Sequence, residues 1–161
     1  MLDAPYVPTP HPIVRRMLQL ADVKPGEVVY DLGAGDGRIV IEAAREFGAY
    51  GVGVELDPGR YSKIQERVRR LGLKEQVTVL HQSYYDTSLR DADVVTLYLL
   101  PKTNLRLRWR FLSELKPTAR IVAHDYPIPG LKADRTIYVK YGGSIHKLYL
   151  YHMSRIKPLR C

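Results

Sequence analysis

Cysteine is nearly absent from this chain: Cys161, the last residue, carries the only thiol. A single cysteine cannot form an intrachain disulfide, and it leaves too few thiols for a structural zinc site. The sequence also lacks a run of about 18 apolar residues, which a membrane-spanning helix requires. Its first residues, MLDAPYVPTPHPIVRR, do not show the charged-then-apolar order of a signal peptide. We therefore expect a cytoplasmic protein without a membrane-spanning segment.

Two amide residues are also scarce, and basic residues are abundant. Asparagine occurs once and glutamine four times, a balance that is typical of proteins from thermophiles. Lysine and arginine together number 25 against 17 acidic residues, which gives a formal net charge of +8. The basic residues recur in QERVRRLGLK, LRLRWR and SRIKPLR rather than in one block. This charge fits either simple solubility or an acidic partner such as nucleic acid, and composition leaves both open.

The order of apolar segments predicts the fold class. The 161 residues, 45% of them hydrophobic, are enough for one domain over residues 1–161 with its own core. Seven short apolar segments read as strands, and four stretches with helical periodicity lie between or before them. Asp57 is expected to cap the third helix, and Gly142 and Gly143 to join the last two strands as a hairpin. The pattern predicts an α/β protein with a mostly parallel seven-stranded sheet, helices on both faces and a C-terminal antiparallel hairpin.

The first strand-to-helix turn, VVYDLGAGDGR at residues 28–38, contains three glycines at alternating positions. In such a sheet, ligands bind outside the carboxyl ends of the strands where strand order reverses. A triphosphate loop would need G-x-x-x-x-G-K-[ST], and the required lysine is missing. A dinucleotide fingerprint would need a third glycine where the larger Arg38 stands. We also expect Asp36, as the N-cap of the next helix, to repel a phosphate, so the turn favours a ligand without phosphates.

S-adenosylmethionine is a ligand of this kind, since it joins adenosine to a sulfonium and a zwitterionic tail. Gly33 and Gly35 would permit its close approach, and Asp31 could attract its ammonium or sulfonium region. Glu55, 24 residues beyond Asp31, ends the second strand and could accept hydrogen bonds from both ribose hydroxyls. The predicted cofactor residues of this frame are Asp31, Gly33, Ala34, Gly35, Gly37, Glu55, Leu56, Ser83 and Tyr84. The last two follow the third strand, where an ordinary loop would look the same.

Six segments of the chain resemble the archaeal protein lysine methyltransferases, which are class I S-adenosylmethionine enzymes related to mitochondrial protein lysine methyltransferases. They are PYVPTP at 5–10, VVYDLGAGDGRIVIEAA at 28–44, FGAYGVGVELDP at 47–58, ADVVTLYLL at 92–100, ELKPTARIVAHDY at 114–126 and HKLYLY at 146–151. The resemblance implies a Rossmann-like methyltransferase fold, S-adenosylmethionine as cofactor and lysine side chains of proteins as acceptors. It also implies that residues 1–10 form an arm over the cofactor, with Tyr6 and Thr9 as contacts.

The chain departs from this family at three places. Ala34 stands where cysteine is frequent, a position that presents mainly its backbone to the cofactor. SYYDTSL follows the third strand where relatives tend to be rich in phenylalanine, and Leu131 stands where many have tryptophan. The second and third departures border the substrate entrance, where the choice of substrate is made.

Methyl transfer from a sulfonium needs a neutral nucleophile aligned with the methyl group. A free lysine has a pKa of about 10.4, so removal of its proton at pH 7 costs about 4.6 kcal/mol. The cationic sulfonium and desolvation would both lower that pKa, so a dedicated base is not required. We expect Tyr98 and Asp125, at the ends of the fourth and fifth strands, to line the transfer channel; a core aromatic and an edge carboxylate are the structural alternatives. His124, which alternates away from Asp125, is predicted to be a hydrogen-bonded core histidine.

Two other functions remain open at this point. A nucleic-acid methyltransferase would fit the net charge and LRLRWR, but the Asn/Asp-Pro-Pro-aromatic motif is replaced by YLLPK after the fourth strand. A non-catalytic cofactor-binding module would keep Glu55 and transfer nothing. We expect a monomer without a metal ion that acts on exposed lysines of proteins, including its own.

Overall fold

The fold is described for residues 6–156 of a computed structural model. Cys161 and the first five residues of the predicted arm lie outside that range. The helices are α1 (His11–Leu20), α2 (Arg38–Phe47), α3 (Pro58–Arg70) and α4 (Pro101–Glu114). The strands are β1 (Val28–Leu32), β2 (Tyr50–Val54), β3 (Val77–Leu80), β4 (Val94–Leu97), β5 (Arg120–His124), β6 (Arg135–Tyr141) and β7 (Ser144–His152). A 3₁₀ turn, Tyr84–Asp86, follows β3 and is called the 84–86 turn below.

The seven strands form one sheet in the order β3-β2-β1-β4-β5-β7-β6. The first five strands are parallel, and β7 is antiparallel to both β5 and β6. Gly142 and Gly143 connect β6 to β7 with φ angles of 60° and 78°, which a two-residue hairpin of this hand requires. Strand order reverses between β1 and β4, so their carboxyl ends flank the crevice where a ligand is expected. The predicted fold class is confirmed.

The core consists of layers on both faces of the sheet. Neighbouring residues of a strand point to opposite faces, so Val29 packs with α1 and α2, whereas Tyr30 packs with α4. Strand β4 repeats the pattern with Val94 and Val95, both fully buried. Burial on both faces explains why these strands read as continuous apolar runs. Within residues 6–156, no helix is long and apolar enough to cross a bilayer.

The two helices that begin at the crevice start differently. Asp57 caps α3 as predicted, since its carboxylate accepts a hydrogen bond from the Arg60 backbone N–H at 2.8 Å. The predicted cap of α2 is wrong by one residue, because Gly37 occupies the N-cap position with φ of 82°. Asp36 nevertheless accepts a hydrogen bond from the Arg38 backbone N–H at 3.1 Å. Asp36 therefore satisfies one backbone donor at this helix start, as expected, but its carboxylate is also paired with the Arg38 guanidinium at 2.5 Å. That phosphate is excluded from this turn stays a prediction.

Candidate active site

The carboxyl ends of β1 and β4, together with the N-terminal arm, enclose a cavity of about 90 Å³. The predicted site residues that line it are Tyr6, Thr9, Asp31, Gly33, Ala34, Gly35, Glu55, Tyr84 and Tyr98. Arg38, Arg60 and Leu99 line it as well, and sequence reasoning did not assign them to the site. The structure therefore brings together parts of the chain from residue 6 to residue 99.

Three predicted cofactor residues lie outside this cavity. Gly37 packs against α3, where a Cβ would come within 2.8 Å of Ile64 Cγ2. Leu56 follows Glu55 after the end of β2, and 38% of its surface is exposed. Ser83 uses its hydroxyl to accept a hydrogen bond from the Tyr85 backbone N–H at 3.1 Å, at the start of the 84–86 turn. Their contact with the cofactor stays a prediction.

Asp31 is a buried carboxylate at the end of β1. Its Oδ1 accepts a hydrogen bond from the Thr96 hydroxyl at 2.8 Å, across the β1–β4 pair. Burial raises the pKa of Asp31 to about 7, and the nearby carboxylates of Glu55 and Asp36 act in the same direction. Within residues 6–156 no cation forms an ion pair with it. This end of the cavity therefore favours a positively charged ligand group.

Glu55 lies at the end of β2 with 4% of its surface exposed. Its two oxygens accept hydrogen bonds from the backbone N–H groups of Gly35 at 2.8 Å and Asp57 at 2.9 Å. Arg60 Nε lies 3.5 Å from Oε2 and adds an ion pair. A carboxylate has about four lone-pair sites, so each oxygen can still accept a hydroxyl. Glu55 is thus oriented by the glycine turn and keeps the capacity to bind a diol.

The described part of the arm lies across the glycine turn. The Arg60 guanidinium stacks over the Tyr6 ring at 4.6 Å, and a Cβ on Gly35 would come within 2.5 Å of Tyr6 Cε2. The Thr9 carbonyl accepts a hydrogen bond from Arg38 Nη1 at 2.9 Å. These contacts place the arm along the edge of the cavity, where it would border a ligand bound there.

Tyr98 and Asp125, the two predicted channel residues, lie next to each other. The Tyr98 hydroxyl donates to Asp125 Oδ2 at 3.4 Å, and Asp125 Oδ1 accepts a hydrogen bond from the Lys147 backbone N–H at 3.0 Å. Burial raises the pKa of Tyr98, and the Asp125 carboxylate raises it further. Tyr98 lines the cavity while Asp125 lies behind it, so a direct role for Asp125 stays a prediction.

His124 is fully buried and hydrogen-bonded, as predicted. The expectation that the His124 and Asp125 side chains point in opposite directions is wrong. His124 Nε2 lies 3.5 Å from Asp125 Oδ2. Asp125 has φ of 61° and leaves the strand conformation, which ends the alternation of side chains there. The His124 ring also stacks on Tyr98 with 3.9 Å between ring centroids. A polar cluster therefore continues from the cavity to the end of β5.

The arginines of LRLRWR face the protein itself. Arg110 donates to two carbonyl groups of the 84–86 turn at 2.8 Å each and pairs with Glu114 at 2.8 Å. Arg108 donates to a carbonyl of the proline-rich turn after β5 at 2.9 Å. Arg106 lies over the Tyr85 ring at 4.5 Å. These three side chains fasten the 84–86 turn and the proline-rich turn after β5 to α4.

The fold and site define a class I S-adenosylmethionine-dependent methyltransferase. A solved structure with the same architecture is that of an RNA methyltransferase from Salinibacter ruber in complex with S-adenosyl-L-homocysteine. It is 41% identical, with a TM-score of 0.87 over 94% of this chain and 97% of that chain. The model of the ANTKMT methyltransferase domain matches residues 31–135. This chain belongs to that methyltransferase family.

Two further relatives are lysine methyltransferases. The protein-lysine N-methyltransferase of Saccharolobus islandicus (strain REY15A) is 38% identical over 148 residues, which are 91% of this chain and 92% of that protein. The adenine nucleotide translocase lysine N-methyltransferase of Mus musculus is 34% identical over 129 residues, which are 80% of this chain and 56% of that protein. The resemblance to archaeal and mitochondrial lysine methyltransferases is confirmed.

Proposed function

We propose that this chain transfers methyl groups from S-adenosylmethionine to lysine side chains of proteins, with broad tolerance for the protein. The observation that carries the proposal is the 38% identity to the Saccharolobus lysine methyltransferase across 91% of this chain and 92% of that relative. Such coverage extends far beyond the glycine turn at residues 28–38. The acceptor is therefore inferred from similarity over most of the chain and not from the glycine turn alone.

The residues at the cavity fit the cofactor. S-adenosylmethionine supplies an electrophilic methyl group on a sulfonium. Asp31, a carboxylate without a cationic partner in residues 6–156, would bind the positive charge of the cofactor's amino-acid part. Glu55, oriented by two backbone N–H groups, would bind the ribose hydroxyls. A side chain at Gly35 would clash with the Tyr6 ring, so glycine at this position lets the arm lie directly on the turn.

The remaining chemistry is delivery of a neutral amine. The lysine must lose a proton before it can attack, and a desolvated entrance beside a sulfonium lowers its pKa. The Tyr98 hydroxyl at the cavity wall would orient the acceptor nitrogen, and the Asp125 carboxylate 3.4 Å away would orient that hydroxyl. Methyl transfer forms the N–C bond and breaks the S–C bond, and the nitrogen's lone pair supplies the electrons. This assignment needs no metal ion and no covalent enzyme intermediate.

Methylation of RNA is a second candidate, since the Salinibacter relative at 41% identity is described as an RNA methyltransferase. The net charge of +8 is consistent with it. The arginines of α4 weigh against it, because Arg108 and Arg110 are hydrogen-bonded to loop carbonyls and Arg106 is stacked on Tyr85. The basic helix that favoured nucleic acid at first is thus largely engaged within the protein.

One experiment separates the two candidates. The purified protein is incubated with methyl-labelled S-adenosylmethionine and a cell lysate, and the labelled product is treated with protease or nuclease. We expect protease-sensitive label, and mass spectrometry should show increments of one methylene on lysines, including lysines of the enzyme. Glu55→Gln should abolish most labelling, whereas Glu75→Gln, at an exposed position, should not. Label that only nuclease removes would contradict the proposal and support the RNA alternative.

A further inference from the structure

A cluster of two histidines and an aspartate lies where β5 ends against β7. His124 Nε2 and His146 Nδ1 are 2.8 Å apart, and His124 Nε2 and Asp125 Oδ2 are 3.5 Å apart. One ligand atom from each of the three residues lies within 4.8 Å of the other two. His124 is fully buried, whereas His146 and Asp125 are half-buried. The cluster is therefore accessible to solvent from the side of His146 and Asp125, and it is buried in the protein on the side of His124.

The distances suit a small transition-metal ion. Tetrahedral zinc with bonds of about 2.0–2.1 Å places its ligand atoms about 3.3 Å apart. The two closest separations here, 2.8 Å and 3.5 Å, lie on either side of that value. The side chains that would have to move are the two half-buried ones. Two imidazoles and one carboxylate leave a fourth coordination position for water.

The buried histidine is also oriented as a metal ligand is. Its Nδ1 lies 3.1 Å from the Thr9 hydroxyl, which leaves Nε2 directed at His146. Histidines that bind metal usually bond through their second ring nitrogen to such a partner. Asp125 has φ of 61°, and this rare conformation directs its carboxylate toward the pair.

We propose that His124, Asp125 and His146 bind a divalent transition metal ion of the zinc type, and that occupancy slows methyl transfer. Without metal, a proton joins the two histidines in a hydrogen bond; metal takes its place between them. The bound ion would coordinate Asp125 Oδ2, the oxygen that otherwise accepts from Tyr98. The inhibitory part rests on the proposed function, because it needs Asp125 free near the acceptor amine. The sequence predicted no metal site. His124 and His146 are 22 residues apart and lie on different strands, so the sequence shows no metal-binding motif.

Binding can be tested without any assay of activity. All variants carry Cys161→Ser, which removes the only thiol of the chain. Calorimetry with Zn²⁺ should show one site, and Co²⁺ should give the visible absorption of a tetrahedral complex. His146→Ala should weaken Zn²⁺ binding by about tenfold or more, at least the loss typical of a second-shell change. His11→Ala, at an exposed histidine on α1, should bind as the parent does, and Mg²⁺ should not compete.

Inhibition is measured separately, as the ratio of methyl-transfer rates with and without Zn²⁺ in each variant. The parent and His11→Ala should slow on addition of Zn²⁺ and recover with chelator, whereas His146→Ala should respond only at higher concentration. Equal Zn²⁺ affinity in the parent and in His146→Ala would overturn the site. Binding without inhibition would overturn the regulatory part alone. A parent that methylates no lysine would contradict the proposed function while the calorimetry still decides the metal site.

Discussion

At the scale of single residues, Asp31 is expected to oppose stability in the protein without cofactor. Its folded-state pKa of about 7 exceeds the ordinary value of 3.8, so the folded protein retains a proton that the unfolded chain has released. Stability should therefore fall as pH rises from about 4 to about 7, by up to about 4 kcal/mol. Asp31→Asn should remove this fall and weaken cofactor binding. Thermal unfolding at pH 5 and pH 8, with calorimetry of S-adenosylmethionine, checks both effects.

The pH dependence is decisive for that prediction, because an asparagine amide buried beside Thr96 has a cost of its own that does not change with pH. The variant's stability relative to the parent should increase between the two pH values. Identical pH slopes in parent and variant would remove Asp31 as the source. Asp91→Asn, at an exposed position, serves as a control for loss of one charge.

Glu55 should contribute to binding of S-adenosylmethionine, and the parent protein should bind S-adenosylmethionine in preference to NAD. Glu55→Gln keeps the shape of the side chain but loses its charge and one acceptor, and hydrogen bonds to charged groups contribute about 1.5–3 kcal/mol. The affinity for S-adenosylmethionine should drop by roughly 10- to 100-fold. Calorimetry on parent and variant measures this drop. Unchanged affinity would remove Glu55 from the ribose site, and comparable NAD binding by the parent would contradict the argument from Asp36.

Residues at strand ends could be predicted from the sequence, whereas their partners could not. Asp31 and Glu55 follow from chain order, since the ends of parallel strands meet at one edge of a sheet. Thr96 was visible only as a hydroxyl inside an apolar strand, and its bond to Asp31 spans 65 residues. Arg60 gave no local sign either, because its contact with Tyr6 depends on the path of the arm. Long-range contacts of this kind leave no periodicity in the sequence.

At the scale of elements, the N-terminal arm is expected to control cofactor exchange. Tyr6 holds the arm in place through its contact with Arg60, and Thr9 does so through hydrogen bonds with Arg38 and His124. Both residues line the cavity at the carboxyl ends of β1 and β4. Tyr6→Ala should speed both association and dissociation of S-adenosylmethionine and lower its affinity. Stopped-flow binding measures the rates. Tyr138→Ala, on an exposed strand far along the chain, is the matched control, and equal rates in Tyr6→Ala and parent would show that the arm only packs.

Most helices, strands and turns could be predicted from short-range sequence patterns. The Asp57 cap, the Gly142-Gly143 hairpin and the alternation of strands and helices each came from short-range chemistry. The start of α2 was misplaced by one residue, because the left-handed Gly37 takes the cap position and Asp36 reaches the helix from outside. The predicted alternation of the His124 and Asp125 side chains at the end of β5 was wrong for a similar reason, since Asp125 adopts a positive φ. Both errors fall where the backbone leaves regular geometry beside the site.

At the scale of the whole molecule, the net charge of +8 should select among lysine substrates. The surface of the domain meets the acceptor protein, and a basic surface attracts lysines that acidic residues flank. Screening shortens the range of this attraction, from about 10 Å at 0.1 M salt to about 3 Å at 1 M. Methylation of a peptide with aspartates around its lysine should therefore fall steeply with added salt. A peptide with the same lysine among serines should be slower at low salt and nearly insensitive to salt.

The comparison of the two peptides is made on kcat/KM from about 50 mM upward in salt, with cofactor saturating, so that only acceptor encounter varies. Steering acts on association, and the difference between the peptides should therefore appear in kcat/KM and leave kcat similar. Equal salt dependence for both peptides would mean that the charge serves solubility alone. A preference for the serine peptide at every salt concentration would contradict the role of the basic surface in choosing substrates, while lysine methylation itself would stand.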